Sequence, residues 1–172
     1  DGGFPTLDAD YANFVQSKEP YYHLMVYDAL RAFDLLYSAP FVDPNHIILA
    51  GESLGGRNAI IAAAIDKNIK GVFAISSAGF MRIGYKGGND NMKNAFIDSI
   101  DSDHYIGLIA PRKLVMLHNI NDQNILMQSA VNSFGYAQQP KKFIYVNDTS
   151  CNHGYCDSMH GGLVDGLQFG MG

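Results

Sequence analysis

The chain has 172 residues, 47% of them hydrophobic, which is enough to enclose the core of one globular domain. Its 12 Lys and Arg stand against 17 Asp and Glu, a net charge of -5 with no basic run, so no nucleic-acid partner is expected. The longest apolar stretches, such as VFAIS and KLVML, fall far short of the roughly 20 residues that a membrane-crossing helix needs, so no membrane segment is expected either. The opening DGGFPTLDAD has neither a basic start nor an apolar middle, and the compartment is left open between cytoplasmic and secreted.

In chain order, residues 1 to 19 read as polar and irregular. EPYYHLMVYDALRAFDLLYSAP then predicts a helix, with Pro20 at its first position, Met25, Ala29, Ala32, Phe33 and Leu36 at helical spacing, and Pro40 at its end. VDPNHIILAG is a turn followed by a short continuous apolar run, the pattern of a strand buried on both faces of a parallel sheet. LGGRNAIIAAAIDKN follows as a helix and IKGVFAISSAGF as the next buried strand. From Met81 to about Ile106 the pattern weakens, and a loop with one or two short helices is expected. APRKLVMLHN is a third strand, NILMQSAVNSFGYAQ a helix and QPKKFIYVND a fourth strand; the end of the chain is a loop and a short final helix. Strands alternating with helices predict an α/β fold, a parallel sheet with helices on both faces, in one domain.

Gly51-Glu52-Ser53-Leu54-Gly55 matches G-x-S-x-G, and it falls between a predicted strand and a predicted helix, where such a turn lifts a serine for attack. Gly51 and Gly55 are expected because the sharp turn brings neighbouring backbone close to them, and Gly56 because the helix packs tightly. The same turn aims the Leu54 backbone N–H at a developing oxyanion. The bland reading is a serine that merely caps a helix.

A serine hydroxyl is a weak nucleophile unless a base takes its proton and a carboxylate orients that base. Hydrolases of this architecture place the acid and then the histidine in loops at the carboxyl ends of later strands. Asp122, in LHNINDQN after the third strand, and His153, in CNHGYC after the fourth, fit that order and are the expected acid and base. The rivals are His160, seven positions further on, His118 at the strand end, which reads as a packed residue shaping the Asp122 turn, and Asp148 in place of Asp122. His23, His46 and His104 lie before or between strands and are expected to be surface or core residues.

Cys151, His153, Cys156 and His160 also spell C-x-H-x2-C-x3-H, which invites a zinc reading. Four ligands within ten residues leave a very small site, and a metal on His153 would occupy the nitrogen that the serine needs, so no metal is expected. The two cysteines form either a small disulfide or a pair of thiols around the histidine loop, according to compartment.

GESLGG, APRKLVMLHNINDQN and NHGY together resemble the nucleophile, acid and histidine motifs of the α/β-hydrolase family, closest to its acetyl xylan esterase, dienelactone hydrolase and prolyl oligopeptidase-like branches. The likeness runs from about residue 20 to residue 168. In that family the acid segment usually has a His-Gly pair, and Asn119 stands here for the Gly, a mild departure because Asn also tolerates positive φ. Dienelactone hydrolases carry a Cys nucleophile where this chain has Ser53.

The resemblance implies that the four strands read here are the last four of a longer sheet, so the domain is expected to be incomplete at its N-terminus. The early loop that donates a second oxyanion N–H is then absent, since the opening DGGF has no strand before it. The nucleophile strand becomes an apolar edge that another chain or copy could cover. The expectation is a serine hydrolase that cleaves small carboxylic esters through an acyl-enzyme, with no cofactor. The alternatives are a prolyl oligopeptidase-like peptidase and a non-catalytic α/β interaction module.

Overall fold

A computed structural model describes residues 6–80 and 88–172. Two subjects of the sequence reading, the Gly2-Gly3 pair and the first residues of the 81–106 loop, lie outside them. Four strands, β1 (Leu49–Glu52), β2 (Gly71–Ile75), β3 (Lys113–Asn119) and β4 (Lys141–Val146), form one parallel sheet in the order β1-β2-β3-β4. The connections carry α3 (Leu54–Ile65), α4 (Asn91–Ile100) and α5 (Met127–Tyr136), and α6 (His160–Met171) closes the chain.

The two-residue period of a strand divides the core. Val72 and Ala74 of β2 with Leu114 and Met116 of β3 face a cluster built with Ile60, Ala62 and Ala63 of α3 and Val26 and Phe33 of α2 (Tyr21–Tyr37). Phe73, Ile75, Val115 and Leu117 point the other way and are covered by Met159 with Leu163, Leu167 and Phe169 of α6. Helices thus lie on both faces of the sheet. At ~0.8 kcal/mol per buried methylene group, these two layers supply the main drive for folding.

Three expectations are corrected. Residues 7–15 are helical, not irregular: α1 (Leu7–Val15) is capped by Thr6, whose hydroxyl oxygen accepts the Ala9 N–H at 3.2 Å, and Asp8 and Asp10 sit in its first turn. Leu7, Tyr11 and Phe14 pack on Phe96 and Ile97 of α4, a partner that arrives some eighty residues later.

The apolar stripe of α2 is the second. Phe33 is buried, but Ala32 and Leu36 are exposed, and Met25, Ala29 and Ala32 line a depression of about 300 Å³ beside Leu49 and Ala50. Pro20 is the cap of α2, not its first helical residue. Third, β1 is not buried on both faces. It pairs only with β2 among the described residues, and Ala50 and Glu52 are exposed. Its free edge is the open apolar edge that four strands imply.

Candidate active site

β1 ends at Glu52 and α3 begins at Leu54, so Ser53 alone makes the turn, at φ 52° and ψ -116°. Such a backbone costs a non-glycine residue on the order of 1–3 kcal/mol and persists only where its surroundings hold it. Here the Ser53 N–H donates to the Ile75 carbonyl at 2.8 Å, continuing the β1–β2 ladder, and Ser77 Oγ donates to the Ser53 carbonyl at 2.8 Å. A Cβ at Gly51 would strike the backbone of Gly55, and one at Gly56 would come within 2.7 Å of Ser77, so both glycines permit close approach. Gly55 differs from expectation, for a Cβ there meets nothing within 4 Å among the described residues. Leu54 opens α3, and its N–H belongs to the first helical turn, where no intrahelical acceptor exists.

Ser53 Oγ lies 3.0 Å from His153 Nε2 although 100 residues separate them. His153 Nδ1 lies 2.8 Å from Asp122 Oδ2 and 3.0 Å from Oδ1. Asp122 is 2% exposed, and its Oδ1 also accepts the N–H groups of Asn124 and Ile125 at 2.9 and 2.8 Å, so the carboxylate is held from behind and turned to the imidazole. With Nδ1–H given to Asp122, the Nε2 lone pair faces the serine hydroxyl. A hydroxyl, an imidazole and a carboxylate in series can move a proton from oxygen to nitrogen and hold the resulting imidazolium.

The rivals lie elsewhere. His118 is 1% exposed, with Nε2 2.8 Å from the Ile125 carbonyl, and shapes the Asp122 turn as the sequence implied. Burial holds its imidazole below the ordinary histidine range, against the opposing effects of the Ile125 bond and the Asp122 charge. His160 starts α6, with Nδ1 3.4 Å from the Tyr155 hydroxyl. The Asp148 carboxylate accepts from the Ser150 N–H and hydroxyl. His23, His46 and His104 pair with Glu19, Asp43 and Asp98.

Cys151 and Cys156 are joined in a disulfide, which removes both thiolates from a zinc reading. Among the described residues no group of three or more His, Cys, Asp or Glu side chains is placed to hold a metal ion. No described helix is long and apolar enough to cross a membrane.

Two residues around the site escaped sequence reasoning. Asn119 does not use positive φ; it is fully buried at the end of β3, its Nδ2 donating to the carbonyls of Asp148 and Cys151 and its Oδ1 accepting the Asp148 N–H. It ties the acid strand to the histidine loop through its amide. Glu52 accepts the Tyr155 N–H at 2.9 Å, a bond that a sequence pattern with an unspecified residue at that place cannot indicate.

Residues 13–83 match the acetyl xylan esterase (AXE1) family model. The protein YfhR of Escherichia coli O157:H7, described as uncharacterized, is 26% identical over 145 residues, a match that covers 81% of this chain and 50% of that protein. The chain spans about half the length of the curated relatives it matches. Among solved structures, the acetyl xylan esterase from Paenibacillus sp. R4 superposes with a TM-score of 0.79 at 17% identity, over 98% of this chain and 58% of that one. Acetyl xylan esterase 1 from Thermoanaerobacterium sp. JW/SL YS485 gives 0.73 at 14% identity, over 96% and 56%. The chain has the α/β-hydrolase fold, and within it residues 13–83 carry the likeness to the acetyl xylan esterases.

Proposed function

We propose that the chain carries the nucleophile, base and acid of a serine esterase. Ser53 Oγ attacks the ester carbonyl carbon while His153 Nε2 takes the hydroxyl proton, Asp122 steadies the imidazolium, and the Leu54 N–H donates to the oxyanion. Collapse breaks the bond to the alcohol, which leaves with the proton from His153 and creates an acyl-enzyme. Water, deprotonated by the same imidazole, then releases the acid and restores Ser53. No step needs a cofactor.

The observation that carries the reading is the series Ser53 Oγ, His153 Nε2, His153 Nδ1 and Asp122 Oδ2, at 3.0 and 2.8 Å. The family match over residues 13–83 favours short acyl esters as substrates. One oxyanion donor contributes about 2.7 to 4 kcal/mol, so the Leu54 N–H in that role accelerates attack by about 10²- to 10³-fold.

Labelling with a fluorophosphonate, located by mass spectrometry, is the test. Ser53 is expected to label, and Ser53→Ala to abolish the signal. His153→Ala slows labelling by about 10⁴- to 10⁶-fold, the scale seen when a triad member is removed. Hydrolysis of p-nitrophenyl acetate in preference to a proline amide separates an esterase from a peptidase. A folded chain whose Ser53 stays unlabelled at every pH sinks the proposal in favour of a binding module.

A further inference from the structure

The loop carrying His153 is tied down at several points besides its contact with Ser53. The Cys151–Cys156 disulfide closes it into a ring. Within the ring, Ser76 Oγ, buried at the end of β2, donates to the Gly154 carbonyl at 3.1 Å, and the Glu52 carboxylate accepts the Tyr155 N–H at 2.9 Å. The loop also rests directly on that carboxylate: Gly154 has φ +83°, and a Cβ there would stand 2.7 Å from Glu52 Oε1. One peptide unit beyond the base is therefore gripped at both its ends, by the residue that precedes the nucleophile and by the residue that follows the neighbouring strand.

We infer that Glu52 is a positioning residue for His153, acting through the Tyr155 N–H. This rests on the reading of Ser53 and His153 as nucleophile and base. The economy of the arrangement lies in its covalent neighbourhood, because Glu52 and Ser53 are consecutive at the end of β1. Any shift of the strand end carries the nucleophile and the anchor of its base together, so the 3.0 Å Nε2 to Oγ distance is set locally although the partners are 100 residues apart. The bond matters because a base is effective only within hydrogen-bond reach of the proton it takes, and an acceptor of this reach keeps the loop there. Glu52 is exposed and touches no reacting atom, so its contribution is to the rate of proton transfer and not to binding of the acyl group.

The test compares Glu52→Gln, Glu52→Asp and Glu52→Ala in the 172-residue chain. Three readouts are taken: hydrogen exchange at the Tyr155 amide, the downfield proton resonance of His153 Nδ1, and the rate of Ser53 labelling by a fluorophosphonate. Gln keeps an acceptor at the same reach, whereas Asp keeps the charge but falls one methylene short. Gln is expected to stay near wild type. Ala and Asp are expected to exchange Tyr155 faster, to broaden the His153 resonance and to label about tenfold more slowly, with unchanged affinity for the probe and an unchanged melting curve. An unaltered Tyr155 exchange rate in Glu52→Ala overturns the inference, as does a series in which all three variants behave alike. If wild type itself never labels, the esterase reading fails, while the exchange and imidazole signals still decide whether Glu52 holds the loop.

Discussion

A Cβ built on Gly51 lands on the backbone of Gly55 and Gly56, which cannot move without unwinding the start of α3, whereas one built on Gly55 finds open space. Gly51→Ala must therefore shift the turn itself, at a cost of about 1–3 kcal/mol from overpacking. Gly55→Ala replaces a flexible residue inside a helix with the best helix former and should be neutral, or stabilising by up to about 1 kcal/mol. Urea denaturation of both variants checks the contrast, and equal losses would refute it. In the sequence the two glycines look equivalent, because G-x-S-x-G is symmetric about its serine. What separates them is the path of the backbone after the turn: the first turn of α3 folds back over Gly51, whereas a Cβ on Gly55, within that turn, would point into open space.

Among the elements, α1 and α2 are joined by a single carboxylate. Asp10 is fully buried, and its two oxygens accept the N–H groups of Tyr21 and Tyr22 at 2.6 and 3.0 Å. They supply the acceptors that Pro20, as the cap of α2, has no side chain to provide. Asp10→Ala leaves those donors without that acceptor and is expected to cost about 1–3 kcal/mol in thermal or urea unfolding, with Asp10→Asn recovering part of it through its one remaining carbonyl oxygen. A loss within about 0.5 kcal/mol would show the cap to be dispensable. The same elements mark where sequence reading stops. Thr6 followed by Asp8 and Asp10 is a legible helix start, but the helix pays off only against Phe96 and Ile97, and nothing local announces that contact. The four strands were legible because each is a short apolar run bounded by turns. The exposure of β1 depends on neighbours that a strand's own residues do not describe.

On the scale of the whole molecule the candidate site is gathered beyond the carboxyl ends of the strands by a rule that a sequence can express: Ser53, Asp122 and His153 each follow a strand, and parallel strands end on the same side. Glu52 and Asn119, which hold the histidine loop, were not legible, since their bonds depend on how far that loop folds back over the sheet. His118 shows how the site also sets a global property. It lies under the Asp122 turn with Nε2 against the Ile125 carbonyl, and burial, the largest influence, keeps it neutral below the pH at which an exposed histidine charges. In the unfolded chain it takes up a proton near its ordinary value of 6.5, so as pH falls through that value the unfolded state binds the proton and the folded state does not. His118 therefore subtracts stability progressively below about pH 6.5 and has no such effect above it. His118→Gln, which keeps an N–H for the Ile125 carbonyl, is expected to unfold more easily at neutral pH but to lose less of its melting temperature than wild type between pH 7.5 and pH 5. Melting curves at both values decide the matter, and parallel losses in the two proteins would show that His118 does not govern the acid limb.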